Sequence, residues 1–218
     1  MVEQAELWTQ AYLKLKRQWK LEPNWKLIEY LHLIPRGPVL DLGAGNGRNA
    51  LFFAKLGHEV DYVDISKTYS KRMKDRAKDE SLDLTAHNMD IRDFDISEKH
   101  YALIIASKIL QLFPKADIEG ITRKMNAGLA RKGLIYVYTF SVENFKHSKR
   151  LHELELVEEN TYFHRKHRQH FHYFKSDEIL SLFPKLRMIF YNEGSVHNLK
   201  KRDSRYLFIL EYLGQRVH

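Results

Sequence analysis

An acid followed by glycines at alternate positions is the arrangement in this chain best suited to chemistry. Residues 39–49 read Val-Leu-Asp-Leu-Gly-Ala-Gly-Asn-Gly-Arg-Asn, so Asp41 precedes Gly43, Gly45 and Gly47. Without a Cβ, glycine lets the backbone turn sharply and lets a ligand lie against bare peptide groups. A helix that starts directly behind such a turn adds unpaired N–H donors and a partial positive charge. A second acid, Asp64, stands where the next apolar run stops, and an acid there can accept both hydroxyls of a ribose. Turn, helix start and second acid together describe a site for a nucleoside-containing ligand.

The elements that must hold these residues follow from the hydrophobic pattern. An apolar strand over 39–42 leads into the turn, an apolar helix over 50–56 closed by Gly57 leads away, and a strand over 59–63 carries Asp64 at its tip. Ser66 can cap a polar helix running to about residue 80. Further strands are expected over 84–88, 101–106 and 134–140, with a helix over 117–129. Upstream, residues 3–19 read as a helix with Leu7, Trp8, Ala11, Tyr12, Leu15 and Trp19 on one face and Lys14, Lys16, Arg17 and Lys20 off it. Pro23 breaks that helix, and a second is expected over 25–33. Strands alternating with helices imply a mostly parallel sheet in an α/β, doubly wound, Rossmann-like fold. Beyond this, Ser176 can cap a short helix over 177–183, stopped by Pro184. Strands over 186–193 and 206–213 have no helix between them and should pair antiparallel as a C-terminal hairpin.

The identity of the nucleoside follows from the turn. The glycines run G-x-G-x-G, which fits a ligand without a pyrophosphate, and Asp41 would repel one. An acid beside alternating glycines suits S-adenosylmethionine (SAM), whose amino acid end carries an ammonium. Residues 39–66 resemble motif I and the following acidic motif of class I SAM-dependent methyltransferases, whose fold has the same parallel sheet and terminal hairpin. The run Gly45-Asn46-Gly47-Arg48-Asn49 with Leu56-Gly57-His58 is most similar to the tellurite-resistance methyltransferase group. Phe174-Lys175, Tyr191-Asn192-Glu193, His197 and Arg205 support that likeness, and similar wording occurs in wobble-uridine tRNA methyltransferases. Ala44 stands where the group more commonly has cysteine, and 141–175, where the group builds its substrate contacts, matches poorly.

The resemblance implies roles for individual residues. Asp41 and the turn Gly43, Ala44, Gly45, Asn46 and Gly47, with Asn49 behind it, should hold the methionine moiety. Asp64 should hold the ribose and Ile65 should lie beside the adenine. Asp90 should accept the adenine amino group, or else serve only as a cap or turn, and Met89 should pack on the ring or belong to the core. Ser107 and Lys108 should line the pocket near the methyl group, with Lys108 alternatively a solvated cation. No residue is assigned as the catalyst, because the methyl is already electrophilic and alignment is the main requirement. The segment Ala106-Ser107-Lys108-Ile109 lacks the Asn/Asp-Pro-Pro-aromatic motif of enzymes that methylate planar amino groups.

Composition narrows the partners. With 218 residues, 44% of them hydrophobic, the chain can bury a full core as one SAM-dependent methyltransferase domain over 1–218, comprising N-terminal helices over 1–34 and a substrate-side insertion over 141–175. It has no cysteine, which excludes disulfides, thiolate metal sites and a cysteine nucleophile. The N-terminal stretch is charged and amphipathic rather than a signal peptide, and no apolar run reaches membrane-spanning length, so a cytoplasmic location without membrane contact is expected. A net charge of +8 permits nucleic acid without requiring it. His164, His167, His170 and His172 crowd one segment, but on a strand His167 would face away from the other three and no carboxylate or thiolate completes a ligand set, so no metal is expected. A polar, partly exposed strand or lid is expected, with a general base or anion contact from the tract left open. A small-molecule or oxyanion acceptor is expected. A tRNA acceptor, a SAM-binding partner protein without activity and a nicotinamide-dependent oxidoreductase stay open, as does the oligomeric state.

Overall fold

The computed structural model describes residues 6–8, 10, 22–146, 151–197 and 206–217. Of the helix expected over 3–19, residues 6–8 and 10 are helical. The rest, with Lys14, Lys16, Arg17 and Lys20, lies outside the described residues, as does Arg205.

The centre is a seven-stranded sheet. Its strands are β1 (Val39–Leu42), β2 (Val60–Asp64), β3 (Leu84–Asn88), β4 (Tyr101–Ser107), β5 (Leu129–Phe140), β9 (Leu186–His197) and β10 (Tyr206–Arg216). The order is β3-β2-β1-β4-β5-β10-β9. Neighbours from β3 to β5 run parallel, and β10 is antiparallel to both β5 and β9. Five parallel strands with an antiparallel hairpin is the expected doubly wound layout.

The period-two alternation of the strands divides the core. Leu40, Leu42, Ile104, Ala106, Ile135 and Val137 face one side, under the helix α4 (Lys115–Gly128) with Ile118, Ile121 and Met125. Val39, Leu103, Ile105, Leu134 and Tyr136 face the other, against α1 (Trp25–Glu29) through Leu27 and α2 (Arg48–Lys55) through Ala50, Leu51, Phe53 and Ala54. Met73 of α3 (Lys67–Asp79) joins this second face. Every β1 residue is buried because helices cover both faces.

Several boundaries differ from the sequence reading. The helix α2 starts at Arg48, because Gly47 already takes the cap position. The second helix stops at Glu29 and continues as a 3-10 turn, Leu31–Leu33. Strand β5 begins five positions early, pairing Leu129 with Tyr101 across an irregularity at which Lys132 takes a left-handed φ of 63°. Ser66 occupies the cap position of α3 without a side-chain cap bond; its backbone N–H donates to Asp64 instead. Ser176 is the first residue of a helix, α6 (Ser176–Ser181), rather than its cap, and the Glu178 carboxylate accepts the Lys175 N–H.

The segment 141–175 holds a short helix, α5 (Val142–Lys146), and a second, three-stranded antiparallel sheet of β6 (Leu154–Glu158), β7 (Thr161–His164) and β8 (Gln169–His172). The histidine-rich tract is therefore a hairpin and not one strand. His164 ends β7, His167 sits in the 3-10 turn, and His170 and His172 lie on β8. Among the described residues no group of three or more His, Cys, Asp or Glu is placed to hold a metal. No described helix is long and apolar enough to cross a membrane.

Candidate functional site

Strand β1 lies between β2 and β4, so the chain leaves it in opposite directions on its two sides, and a crevice opens at the carboxyl ends of these strands. The glycine turn reaches it through Gly43. Gly43, Gly45 and Gly47 all adopt left-handed φ, 62°, 56° and 73°, which other residues reach only with strain. Space is also short. A Cβ on Gly47 would lie 1.9 Å from the Met73 methyl, and one on Gly43 would lie 2.4 Å from the Ile109 side chain.

The two acids brace this turn from behind and beside. Asp41 is 1% exposed and accepts the Ala50 N–H at 3.1 Å, which satisfies one of the unpaired donors at the start of α2. Burial raises its carboxyl to about 7, against the pull of Arg48 and the Ala50 N–H. Asp64, 5% exposed, accepts the Gly45 N–H at 2.8 Å and the Ser66 N–H at 2.9 Å. Burial raises its carboxyl too, opposed by those two N–H groups. The turn is further tied by the Tyr62 hydroxyl, which donates to the Gly45 carbonyl at 2.6 Å.

The crevice holds about 550 Å³ of empty space, counting its open mouth. Of the residues expected at the site, it brings together Gly43, Asp64, Ile65, Asp90 and Lys108. Asp90 is already engaged: Oδ1 accepts the Arg92 N–H and Nε, and Oδ2 accepts Nη2 at 2.8 Å. Burial pushes its carboxyl up, but these bonds outweigh it and hold it below the ordinary value. Lys108 has a left-handed φ of 59°, donates its backbone N–H to the Tyr138 carbonyl at 2.7 Å, and places Nζ 5.2 Å from the Tyr138 ring centre.

The other expected residues stand apart from the cavity lining. Ala44 packs against the α2-side core, and Met89 packs against the α4-side core. Asn46 accepts the Arg48 N–H. Asn49 is buried and accepts the Asn24 N–H at 2.9 Å. Ser107 joins a polar network: Arg48 Nη2 donates to Ser107 Oγ and Asn24 Oδ1, Asn24 Nδ2 donates to the Tyr136 hydroxyl, and that hydroxyl donates to Glu211.

The sequence reading missed other lining residues. Ile91, Ile109, Leu112 and Phe113 give the cavity apolar sides, Trp8 reaches it from the N-terminal region, and Gln169 reaches it from β8. The apolar residues directly after the ends of β3 and β4 were the available signal. For Gln169 nothing in the local sequence points to the cavity, because its position depends on the second sheet lying over the 3-10 turn Leu110–Leu112.

Comparison with known proteins agrees with this geometry. Residues 39–133 match the family described as methyltransferase domain. A probable S-adenosyl-L-methionine-dependent methyltransferase, TehB of Haemophilus influenzae, is 25% identical over 99 residues, which cover 45% of this chain and 34% of the relative. The chain thus matches about a third of the length of its curated relatives. The crystal structure of TehB from H. influenzae superposes with a TM-score of 0.68 at 17% identity, covering 89% of this chain and 62% of that one. A Burkholderia thailandensis 1,6-didemethyltoxoflavin-N1-methyltransferase with bound S-adenosylhomocysteine gives a TM-score of 0.69 at 16% identity, covering 99% and 90%. The geranyl diphosphate C-methyltransferase of Streptomyces coelicolor gives 0.64 at 13%, covering 88% and 77%. At these identities the solved structures speak to the fold, and the family match speaks to the segment that builds the crevice wall. Residues 39–133 thus match the methyltransferase domain model, and the chain shares the fold of these solved methyltransferases.

Proposed function

We propose that the chain is a SAM-dependent methyltransferase that acts on a small acceptor. The observation that carries this reading is the glycine turn, with left-handed φ at Gly43, Gly45 and Gly47, whose Gly43 lines one crevice with Asp64. SAM supplies an electrophilic methyl on a positively charged sulfur, and the residues present fit it. The turn exposes main chain to the methionine end, Asp41 braces the turn from behind, Asp64 lines the crevice, and Ile65 offers an apolar side to the adenine. Asp64 keeps lone pairs beyond its two backbone bonds with which to accept ribose hydroxyls. Asp90, neutralised by Arg92, borders the adenine end.

Lys108 lines the crevice just past the end of β4 and adds positive charge there. The chain's task is alignment of the acceptor with the methyl, which in favourable cases lowers a barrier by roughly 7–11 kcal/mol. A general base is required only for an acceptor that arrives protonated. Segment 141–175 serves as the substrate-side insertion, since its second sheet brings Gln169 to the crevice. The toxoflavin-pathway and geranyl diphosphate enzymes with this fold act on small molecules, as their names state, which favours a small acceptor here.

A tRNA acceptor is the second reading. The exposed tip of the second sheet carries Arg165, Lys166 and Arg168, although Arg165 is already paired with Glu155 at 2.8 Å. One experiment tests both. The protein is titrated with SAM and S-adenosylhomocysteine by calorimetry, then incubated with isotope-labelled SAM and either a small-molecule extract or total tRNA at several salt concentrations. Label in small molecules is the expected result. Absence of binding to either SAM form overturns the cofactor assignment. Saturable tRNA binding that weakens steeply with salt, with label in the RNA, makes tRNA the acceptor.

A further inference from the structure

The side-chain amide of Gln169 is the unengaged polar group of the crevice. Gln169 is 8% exposed and lines the same cavity as Asp64, Ile65 and Asp90. Its backbone pairs with His164 across the β7–β8 hairpin. Its side chain makes no hydrogen bond to any described residue. The amide faces the crevice with its donor and its acceptor both unused by the protein, so it can serve a ligand that supplies both an acceptor and a donor.

Asp90, the acid at the end of β3, is poorly suited to that role here. Each of its carboxylate oxygens accepts from Arg92, and Arg92 is itself held from the other side by Asp117 at 2.9 Å. Three of the roughly four acceptor sites of the Asp90 carboxylate are taken by Arg92, and Asp90 has no donor to offer. Gln169 is the nearby side chain that can still both give and accept.

We propose that Gln169 reads the adenine edge of SAM, its Oε1 accepting from the 6-amino group and its Nε2 donating to the neighbouring ring nitrogen. An amide forms such a bidentate pair with adenine in other settings. The assignment rests on the SAM reading of the crevice. It gives the second sheet a function of its own: β8 covers the adenine. The sides of that pocket, Ile65, Ile91, Leu112 and Phe113, are apolar and suit a flat heterocycle whose edge needs one polar partner.

The test compares S-adenosylhomocysteine with its 6-deamino analogue, which keeps the purine but lacks the amino group. Both are titrated by calorimetry into the wild-type protein, Gln169→Met and Gln169→Glu, with circular dichroism as the folding control. Wild type should prefer S-adenosylhomocysteine by about three- to tenfold, the range for one hydrogen bond. Gln169→Met, close in volume, should weaken S-adenosylhomocysteine by a similar factor and abolish the preference. Gln169→Glu keeps the acceptor and loses the donor, so it should bind more weakly than wild type yet retain the preference, which keeps the test valid if Gln169→Met does not fold. Unchanged affinity in Gln169→Met overturns the proposal. So does weakened affinity with the preference intact, which would return the amino group to Asp90. If wild type binds neither ligand, the SAM reading itself fails, an outcome distinct from both.

Discussion

The two walls of the crevice are held by different means. The wall from β1 through α2 to β2 is fixed by side chains bonded to the main chain of the turn: Asp41 to the Ala50 N–H, Asp64 to the Gly45 and Ser66 N–H groups, Tyr62 to the Gly45 carbonyl. The opposite cover, β6 to β8, adds side chain to side chain contacts to the pairing of its own strands. His172, fully buried, bridges Thr161 at 2.7 Å and Glu178 at 2.9 Å; Phe145 stacks on Tyr162 at 4.1 Å; Lys175 pairs with Glu159 at 2.5 Å. A wall set by backbone conformation tolerates few residue types at its turning points. A cover set by pairs tolerates many, provided both partners change together. On the proposed reading the first region binds the cofactor, and the second is free to be shaped for an acceptor.

The sharpest way to break this contrast is at the turn. Gly45→Val should lower affinity for SAM by more than about a hundredfold while circular dichroism still reports a folded chain, because a branched side chain at a φ of 56° is strained and would distort the turn that Asp64 and Tyr62 hold. Undiminished affinity in the folded variant would remove the glycine turn from the site.

Asp41 probes the same wall from inside. Its carboxyl is raised from 3.8 to about 7, so between those values the folded chain holds a proton that the unfolded chain has released. Stability from this group is present at the acid end, falls as pH rises through that window, and levels off above about 7. Over the whole window the loss is on the order of a few kcal/mol. Asp41→Asn, whose amide oxygen can still accept the Ala50 N–H, should flatten that part of the urea-denaturation profile and be the more stable protein at pH 8. An unaltered slope would show that Asp41 stays ionised in the fold.

A smaller effect is expected at Asp64. Losing a hydrogen bond to a charged group costs about 1.5–3 kcal/mol, so Asp64→Ala should weaken SAM by roughly ten- to a hundredfold. A change below about twofold in calorimetry would mean that Asp64 only braces the turn.

The mildest test concerns the cover. His172→Leu leaves Thr161 and Glu178 without their shared partner and should cost about 1–3 kcal/mol. Hydrogen exchange should show the loss confined to 154–172, with 39–64 still protected. Uniform loss across both regions would mean that the walls do not unfold independently.

The same contrast explains what could be read in advance. Strands β1 to β4, the turn and the terminal hairpin were visible because buried strands are apolar runs and left-handed turns select glycine. The early start of β5 was not, because its bend uses Lys132, a residue that does not advertise a positive φ. The second sheet was hidden for the same reason, since its turns place Asn160 and Arg168 at φ 57° and 47° with no glycine or proline to mark them. At the site, Asp64, Ile65, Asp90 and Lys108 were foreseen and do line the cavity, and their ligand contacts are as yet proposals. Gln169 depends on how one sheet lies over another element, which no local pattern records.

The order of strands in the main sheet has a consequence for how the chain finishes folding. Strand β10 separates β5 from β9, pairing Leu134 to Phe140 on one side and His197 to Leu186 on the other. Until Tyr206–Arg216 arrives, β5 presents an unpaired edge in which residues 134–137 are fully buried in the final fold. Such an edge is a template for other chains. Closing it requires a contact made late in the sequence, so the last hairpin acts as a seal against aggregation. Pulse-labelled exchange during refolding should show the amides of β5 becoming protected together with those of β10, and later than those of β1 and β4.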